Sequence, residues 1–528
     1  MSKNLKKNYI FNVTYQLLTL ILPLITMPYL SRVLQPETVG VFSYSESIVL
    51  YFSLFAVLGT AVYAQREIGK VQDSVEERSK VFWEIQIVRT TSSLIAIAAY
   101  IIYVFVIDTN FVVTLIFVLE IFNVVVDISW FFQGLEDFRM TIICGVFMRV
   151  CTLIFTFAFV KSSDDLWIYV LSRCGNYVFW NMLMWCLLPK YLCKVRGIKP
   201  FKRIKEIVSF FIPAIASQVY TMLDKSMLGW MTSTHVENGY YEYAEKLVRI
   251  SITIISSLAT VIVPRASKAH AEGDDESVKN IIYQATRYVW LIGIPIVLGL
   301  IAVADVFIPI YLGEGFEKSA ILLQIFAPIV VIVGMANIIG VSFLIPMNKQ
   351  KIYIISTFAA AAVNLCLNAI LIPKLYSVGA AVASVVAELV NICIQFGYVF
   401  SRKMLRAKNV FLPLIRYLIA GVTMFFVVYT VKPLLSVSVW SLVELIAIGV
   451  VLYFVLLLIL HDSFTFSFLK NFFIKIKTKF VKQRLTETSE IEITRKIETG
   501  GANKSQINDI EVEADVETLY NKNTEKNK

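Results

Sequence analysis

The stretch VGVFSYSESIV at residues 39–49 has a counterpart, NGYYEYAEKLV, at residues 238–248. Both place a carboxylate inside a largely apolar segment, and the offset between them is 199 residues. This offset covers six predicted membrane spans, so the two halves keep the same orientation and form a parallel repeat about an axis along the membrane normal. Paired bundles of this kind are typical of proteins that alternate access to a central cavity. The matched pairs are Gly40/Gly239, Tyr44/Tyr243, Glu46/Glu245, Val49/Val248, Arg66/Arg265, Glu77/Glu276 and Lys80/Lys279.

Composition indicates an all-α polytopic membrane protein. Of the 528 residues, 57% are hydrophobic and 17% are charged, whereas a soluble protein carries charge on about a quarter of its residues. A membrane-spanning helix needs about 20 mainly apolar residues. Fourteen segments meet this requirement: 9–31, 41–64, 81–107, 111–133, 140–160, 165–187, 207–231, 240–263, 281–307, 319–345, 353–372, 378–400, 414–432 and 438–460.

The distribution of Lys and Arg predicts the orientation of these spans. With the N-terminus inside, the loops on the cytoplasmic face carry 24 Lys and Arg, and the opposite side carries five, counting Lys432 at the end of its span. Because cytoplasmic loops are enriched in positive charge, we expect both termini in the cytoplasm. The formal net charge of +10 then reflects orientation, and no nucleic-acid partner is expected. The apolar start of the chain has no small-residue cleavage site, which predicts an uncleaved first span.

The repeat and the spans predict four regions. Residues 1–206 form an N-terminal lobe of spans 1–6, 207–400 a C-terminal lobe of spans 7–12, and 401–462 two extra spans. Residues 463–528 are expected to be cytoplasmic. Within them, 464–485 alternate Phe with Lys, as in a basic helix lying on an anionic leaflet, and the polar remainder is expected to be disordered.

Charged side chains inside spans are the candidate functional residues, because each costs roughly 2.5–3.5 kcal/mol at the bilayer centre. Their number predicts a water-filled polar lumen between the lobes. The sixteen candidates among these embedded charges are Glu46, Glu84, Arg89, Glu120, Asp127, Arg149, Arg173, Asp224, Lys225, Glu242, Glu245, Lys246, Arg249, Arg287, Glu388 and Glu444.

The cations in and beside the spans suggest an anionic substrate. Arg matches a phosphate in a bidentate, charge-assisted way, and Lys246 and Arg249 lie one helical turn apart. Alternatively, arginines at helix ends extend to lipid phosphates and only anchor the spans. The cations that could line the lumen are Arg66, Arg89, Lys246, Arg249, Arg265 and Arg287.

The embedded carboxylates allow two interpretations. Glu46, Asp127, Asp224 and Glu245 either pair with lumen cations such as Lys225, or they bind H⁺ or Na⁺ and couple a gradient to transport. The sequence leaves both open. It has no P-loop, nucleophile elbow or metal-ligand set, so we expect a non-enzyme without cofactor or metal that draws on an ion gradient, the membrane potential or the substrate gradient.

Several stretches resemble the Wzx-type oligosaccharide-lipid flippases of the MATE-like multidrug/oligosaccharidyl-lipid/polysaccharide exporter superfamily. The resemblance covers about residues 5–400. It is carried by YLSRVLQPETVGVFSY (29–44), YAQREIGKV (63–71), DISWFFQGLEDF (127–138), YTMLDKSMLG (220–229), GYYEYAEKLV (239–248) and VPRASKAHAEGD (263–274).

This resemblance implies two pseudo-symmetric six-helix lobes around a V-shaped cavity, plus two extra helices. It implies a substrate too: an undecaprenyl-pyrophosphate-linked oligosaccharide for capsule, O-antigen or exopolysaccharide synthesis, with membrane lipids and the polysaccharide polymerase machinery as partners. By resemblance, the residues expected to receive the pyrophosphate and sugar are Arg32, Arg66, Lys225, Arg249 and Arg265.

Three alternatives remain. A lipid II flippase shares the fold and the pyrophosphate chemistry. A MATE-type drug or cation antiporter would need a lumen dominated by carboxylates and aromatics, which the many cations disfavour. A membrane polysaccharide polymerase or ligase would be expected to have a large external loop, and the longest predicted external loop has only about ten residues.

Overall fold

The computed structural model describes residues 3–107, 110–257, 259–470 and 474, and the side chains from residue 21 onward except 107, 138, 210, 212–221, 260 and 261. These residues are almost entirely helical, as expected. The α-helices are α1 (Lys3–Val57), α2 (Thr60–Lys70), α3 (Val75–Ile107), α4 (Phe111–Ile116), α5 (Val118–Val126), α6 (Ser129–Gly134), α7 (Phe138–Phe159), α8 (Leu166–Trp185), α9 (Ile204–Met231), α10 (Val236–Ser256), α11 (Ala259–Ala271), α12 (Asp275–Leu312), α13 (Glu317–Phe326), α14 (Ile329–Ala336), α15 (Gln350–Leu375), α16 (Ser377–Ser401), α17 (Ala407–Phe411), α18 (Leu414–Val431) and α19 (Val439–Ile459).

Ten helical stretches among the described residues are long and apolar enough to span a membrane. The protein is therefore a multi-pass membrane protein. The predicted count of fourteen is not confirmed. The stretch Ile21–Lys70 covers parts of two predicted spans, and α8, α9 and α10 fall outside the ten.

The first two predicted spans are joined through a kink in α1. Gln35 has a non-helical conformation with φ 63° and ψ 163°. Pro36 follows it, and proline both lacks a backbone N–H and disfavours the helical conformation of the preceding residue. The kink therefore falls where the sequence places an external turn between two spans.

The DISWFFQG motif builds the core of the N-terminal half. Trp130, Phe131 and Phe132 are buried against α2 and α3, and the Phe82 and Trp130 rings stack with centroids 5.3 Å apart. A Cβ on Gly134 would lie 2.8 Å from the Ile68 side chain. The motif therefore packs the short helix α6 against α2 and α3.

The two halves cross at a pair of equivalent glycines, where α1 packs against α10. A Cβ added to Gly40 would lie 1.7 Å from the His235 carbonyl oxygen, and one added to Gly239 would lie 2.0 Å from the Pro36 carbonyl oxygen. Residues 36 and 235 differ by the same offset as the two glycines, so the contact is reciprocal. This reciprocity is what a two-fold pseudo-symmetric repeat requires.

Residues 454–470 end the described part of the chain as a separate compact unit. Asp462 begins its last helix: the carboxylate accepts hydrogen bonds from the Thr465 backbone N–H at 2.9 Å and from the Thr465 hydroxyl at 2.7 Å. The predicted interfacial helix at 464–485 lies mostly outside the described residues, and the predicted disordered tail lies wholly outside them. The four predicted region boundaries remain predictions.

Candidate functional site

A network of ion pairs, called here the interlobe network, lies where the two halves meet. The Lys225 ammonium is 2.6 Å from a Glu242 carboxylate oxygen and 2.9 Å from one of Glu245. Lys246 lies 2.5 Å from Glu242, and the Arg249 Nε donates to Glu245 at 2.7 Å. Glu242 is fully buried, and a buried carboxylate is stable only when it is paired and hydrogen-bonded.

Local sequence spacing produces most of this network. Glu242 and Lys246 lie four residues apart on α10, as do Glu245 and Arg249, so both pairs meet on the helix surface. Lys225 comes from α9 and bridges the two carboxylates. The Lys246 and Arg249 side chains stay 36% and 51% exposed, so they are the accessible cations of the network.

The N-terminal half contributes to the same network. Ser43 on α1 donates a hydrogen bond of 2.7 Å to Glu242, its equivalent in the repeat. Glu46, also on α1, pairs with Arg173 on α8. The Arg173 guanidinium carbon and the Lys246 ammonium lie 5.3 Å and 5.7 Å from the centroid of the Phe42 ring.

This network contributes to the lining of a cavity of about 200 Å³ between the halves, called here the interlobe cavity. Glu46, Arg173, Glu242 and Lys246 supply its charged lining. Apart from Thr26, the rest of the lining is apolar or aromatic; these residues are Pro23, Met27, Leu30, Leu34, Val39, Phe42, Tyr169 and Tyr243. A charged wall facing aromatic rings can hold a ligand that has both an anionic group and hydroxylated rings.

Asp224 belongs to a second cavity, of about 280 Å³, within the C-terminal half. Its carboxylate accepts hydrogen bonds from the Tyr241 hydroxyl at 2.5 Å, from the Ser384 hydroxyl, and from the Asn368 amide at 2.5 Å. Asn368 in turn donates to the Asn364 side-chain oxygen at 3.1 Å. Within the described part of the chain, Asp224 has no cation at salt-bridge distance. It differs in this respect from Glu46 and Glu245.

The end of the interlobe cavity that topology predicts to be external is closed by direct contacts. Besides the reciprocal glycine crossing, the Ser31 hydroxyl donates to the Leu312 carbonyl at 2.6 Å. The His235 backbone N–H donates to the Glu37 carboxylate at 3.1 Å. Arg32 lies at this end too, donating to the Pro28 and Ile310 carbonyls at 2.7 Å each.

The remaining predicted site residues lie outside the network. Arg89 is buried in the N-terminal half, 3.0 Å from Asp127. Arg66 is half exposed at the predicted cytoplasmic end of α2, 3.0 Å from Glu67. Arg265 is exposed on α11. Arg287 is partly buried on α12, and its Nε has no hydrogen-bond partner among the described residues.

Of the predicted site residues, Lys225, Lys246, Arg249, Glu46 and Glu245 are thus brought together. Arg173 and Glu242 belong to the sixteen embedded charges but not to the predicted site residues, and Ser43 belongs to neither set. The signal for Glu242 is present, because it precedes Lys246 by four residues. The offset of 199 also links Ser43 to Glu242.

Comparisons with known proteins agree with this architecture. The family model described as "Polysaccharide biosynthesis protein" matches residues 5–270. A protein named "Putative O-antigen transporter" from Escherichia coli (strain K12) is 22% identical over 411 residues, covering 76% of this chain and 98% of the relative. Another, "Probable low-salt glycan biosynthesis flippase Agl15" from Haloferax volcanii, is 26% identical over 206 residues, which cover 38% of this chain and 43% of the relative.

Two solved structures share the fold. The lipid II flippase MurJ in an inward closed conformation has a TM-score of 0.69 at 16% identity, covering 86% of this chain and 99% of its own. An inward-facing MATE-family multidrug resistance transporter has a TM-score of 0.54 at 13% identity, covering 72% and 98%. The MATE-like fold and the family resemblance predicted from the sequence are confirmed: this chain belongs to the polysaccharide biosynthesis protein family.

Proposed function

We propose that this protein is a flippase that moves a lipid-linked oligosaccharide from the cytoplasmic to the outer leaflet of a bacterial inner membrane. The proposed carrier is undecaprenyl pyrophosphate. The relatives named as an O-antigen transporter and a glycan biosynthesis flippase support this class of substrate. Both termini are proposed to be cytoplasmic, as the positive loops predict.

The observation that carries the proposal is the pair of accessible cations on α10, of which Lys246 lines the interlobe cavity and Arg249 lines the cavity that contains Asp224. Lys246 and Arg249 are held by carboxylates yet remain partly exposed. A pyrophosphate can take the place of Glu242 and Glu245 as the partner of these cations, and Arg in particular binds phosphate through two parallel hydrogen bonds. The two cations then exchange a carboxylate partner for a pyrophosphate partner, so they are never left unpaired in a low-dielectric site.

Alternating access provides the movement. The contacts at the predicted external end close one side of the interlobe cavity, which corresponds to a state closed to the outside. Rocking of the two halves about the network would break the glycine crossing and open the other side. The proposal therefore makes the crossing of α1 and α10 an external gate.

Asp224 is the proposed site of ion coupling. The other predicted coupling carboxylates, Glu46, Asp127 and Glu245, each have an Arg or Lys partner. Asp224 has neutral hydrogen-bond donors and lines a cavity next to Arg249 and Glu245. Since a buried carboxylate without a cationic partner favours binding a cation, H⁺ or Na⁺ would bind there.

The test is the leaflet distribution of the lipid-linked glycan in cells that lack this protein. We expect the glycan to accumulate on the cytoplasmic leaflet and the wild-type gene to clear it. The double variant Lys246→Gln/Arg249→Gln should reduce clearance by at least roughly tenfold, because a hydrogen bond to a charged group is worth about 1.5–3 kcal/mol.

The matched control is Lys268→Gln/Lys349→Gln, which removes two exposed positive charges outside the network. It should clear the glycan like the wild type. An unchanged leaflet distribution in deleted cells, together with new sensitivity to cationic drugs, would replace the flippase with the drug antiporter.

A further inference from the structure

A third cavity, of about 550 Å³, lies on the predicted cytoplasmic side of the C-terminal half. It is formed where α12 begins, where α16 ends and where α17 begins. It shares no lining residue with the two cavities described above. Its polar lining includes Lys279, Tyr283, Lys403 and Arg406, and Phe400 and Met404 form part of its apolar lining.

The charge of this cavity is positive. Glu276 is the carboxylate among the lining residues, and it lies 3.5 Å from the Lys279 ammonium. Lys403 and Arg406 are exposed, and within the described residues neither has a carboxylate at salt-bridge distance. Unlike the cations of the interlobe network, these two have no anionic partner there.

The turn that carries these cations is held to α12 by two hydrogen bonds. The Arg406 backbone N–H donates to the Tyr283 hydroxyl at 2.8 Å, and the Trp290 indole N–H donates to the Val410 carbonyl at 2.9 Å. Leu405 and Val410 are buried. Because Arg406 and Val410 are both tied to α12, the backbone that carries Arg406 is held beside the cavity.

Phosphate is the anion that fits this arrangement. The ends of α12 and α16 lie on the face predicted to contact the cytoplasmic leaflet, where lysine and arginine meet phosphate groups. Phe400, Met404 and Leu405 give the cavity an apolar wall beside its cations. Such a combination suits a phosphate that is attached to an apolar or organic group.

We propose that this cavity is a binding site for a phosphate group, which is either the headgroup of an anionic membrane lipid or part of a soluble phosphate ester. The site is separate from the interlobe cavity, and the proposal does not depend on the flippase function. A lipid bound here would connect α12, α16 and α17 to the composition of the cytoplasmic leaflet.

The test uses the purified, delipidated full chain in detergent. Phosphatidylglycerol and phosphatidylcholine are titrated separately and the bound fraction is measured by native mass spectrometry. We expect a preference for phosphatidylglycerol, and Lys403→Gln/Arg406→Gln should weaken its binding roughly 30-fold, because each cation near an anionic headgroup contributes about 1 kcal/mol. Inorganic phosphate is titrated in parallel by isothermal titration calorimetry at constant ionic strength.

The control is Lys349→Gln/Lys351→Gln, which removes the same charge from another predicted cytoplasmic loop. Loss of phosphatidylglycerol binding in the cavity variant alone assigns a lipid headgroup. Loss of inorganic phosphate binding in the cavity variant alone, with phosphatidylglycerol unaffected, assigns a soluble phosphate. Equal weakening in both variants, or no weakening in either, would overturn the proposal, and thermal unfolding of each variant checks that it is folded.

Discussion

Asp224 and Lys225 are neighbours on α9, yet their side chains face different environments. Lys225 bridges Glu242 and Glu245 at the interlobe network. Asp224 lies inside the C-terminal half among the hydroxyl of Tyr241 and the amide of Asn368. Adjacent residues on a helix point about 100° apart, so one turn of α9 connects the interlobe network to the cavity that contains Asp224. Through this turn, the ion binding proposed at Asp224 would be linked to the network in which Lys225 pairs with Glu242 and Glu245.

At the residue scale, Asp224→Asn should uncouple transport from its driving ion. An amide has nearly the shape of the carboxylate but cannot be charged, so it cannot bind Na⁺ or H⁺ as an anion does. Transport into vesicles is measured against Na⁺ at fixed pH, and against pH at fixed Na⁺. The wild type should depend on one of these ions, and the variant should lose that dependence together with most of the rate. A variant that keeps the ion dependence of the wild type would rule out Asp224 as the coupling site.

At the element scale, the crossing of α1 and α10 depends on backbone contact. Gly40 and Gly239 are equivalent in the repeat, and each lies against a carbonyl of the other half. The similarity of VGVFSY and NGYYEY in the sequence therefore has a structural reason, because the glycine of each segment makes the equivalent contact at the same helix crossing. The DISWFFQG motif has an equally physical role, because its aromatic rings form the core between α2, α3 and α6.

Gly40→Ala and Gly239→Ala should each open the predicted external gate. A methyl group has no room at either crossing, since the atoms it meets belong to backbone that cannot move aside like a side chain. Overpacking of this kind costs typically 1–3 kcal/mol. Hydrogen–deuterium exchange should rise to a similar extent around residues 31–40 and 235–239 in both variants.

Gly299→Ala is the matched control for these substitutions, because a Cβ on Gly299 meets nothing within 4 Å and alanine favours a helix. It should leave exchange at the crossing unchanged. If the two crossing variants exchange like the wild type, the close approach of α1 and α10 does not hold the gate closed.

At the scale of the whole molecule, the sequence predicted a two-lobed helical membrane fold with a parallel repeat and charged side chains inside the spans. These follow from hydropathy, from the constant offset and from the cost of charge in a bilayer. The partners of each charge could not be predicted, because pairs such as Glu46–Arg173 join α1 to α8 across the fold. The partners of Arg32 could not be predicted either, because its guanidinium donates to backbone carbonyls at the predicted external end.

The predicted spans at 165–187, 207–231 and 240–263 correspond to α8, α9 and α10, which are not among the ten long apolar stretches of the described residues. These three helices carry the charged side chains of the interlobe network, and an embedded charge is costly in a bilayer. The kink at Gln35 accounts for another difference, because it joins two predicted spans into one long helical element.

The most direct test of the flippase proposal is glycan translocation by the purified full chain in lipid vesicles. A fluorescent undecaprenyl-pyrophosphate-linked oligosaccharide is placed in the inner leaflet, and its arrival outside is followed with a membrane-impermeant quencher. We predict transfer that is much faster than in protein-free vesicles and roughly tenfold slower with Lys246→Gln/Arg249→Gln. Transfer at the rate of protein-free vesicles, from a wild-type protein shown to be folded, would contradict the proposal.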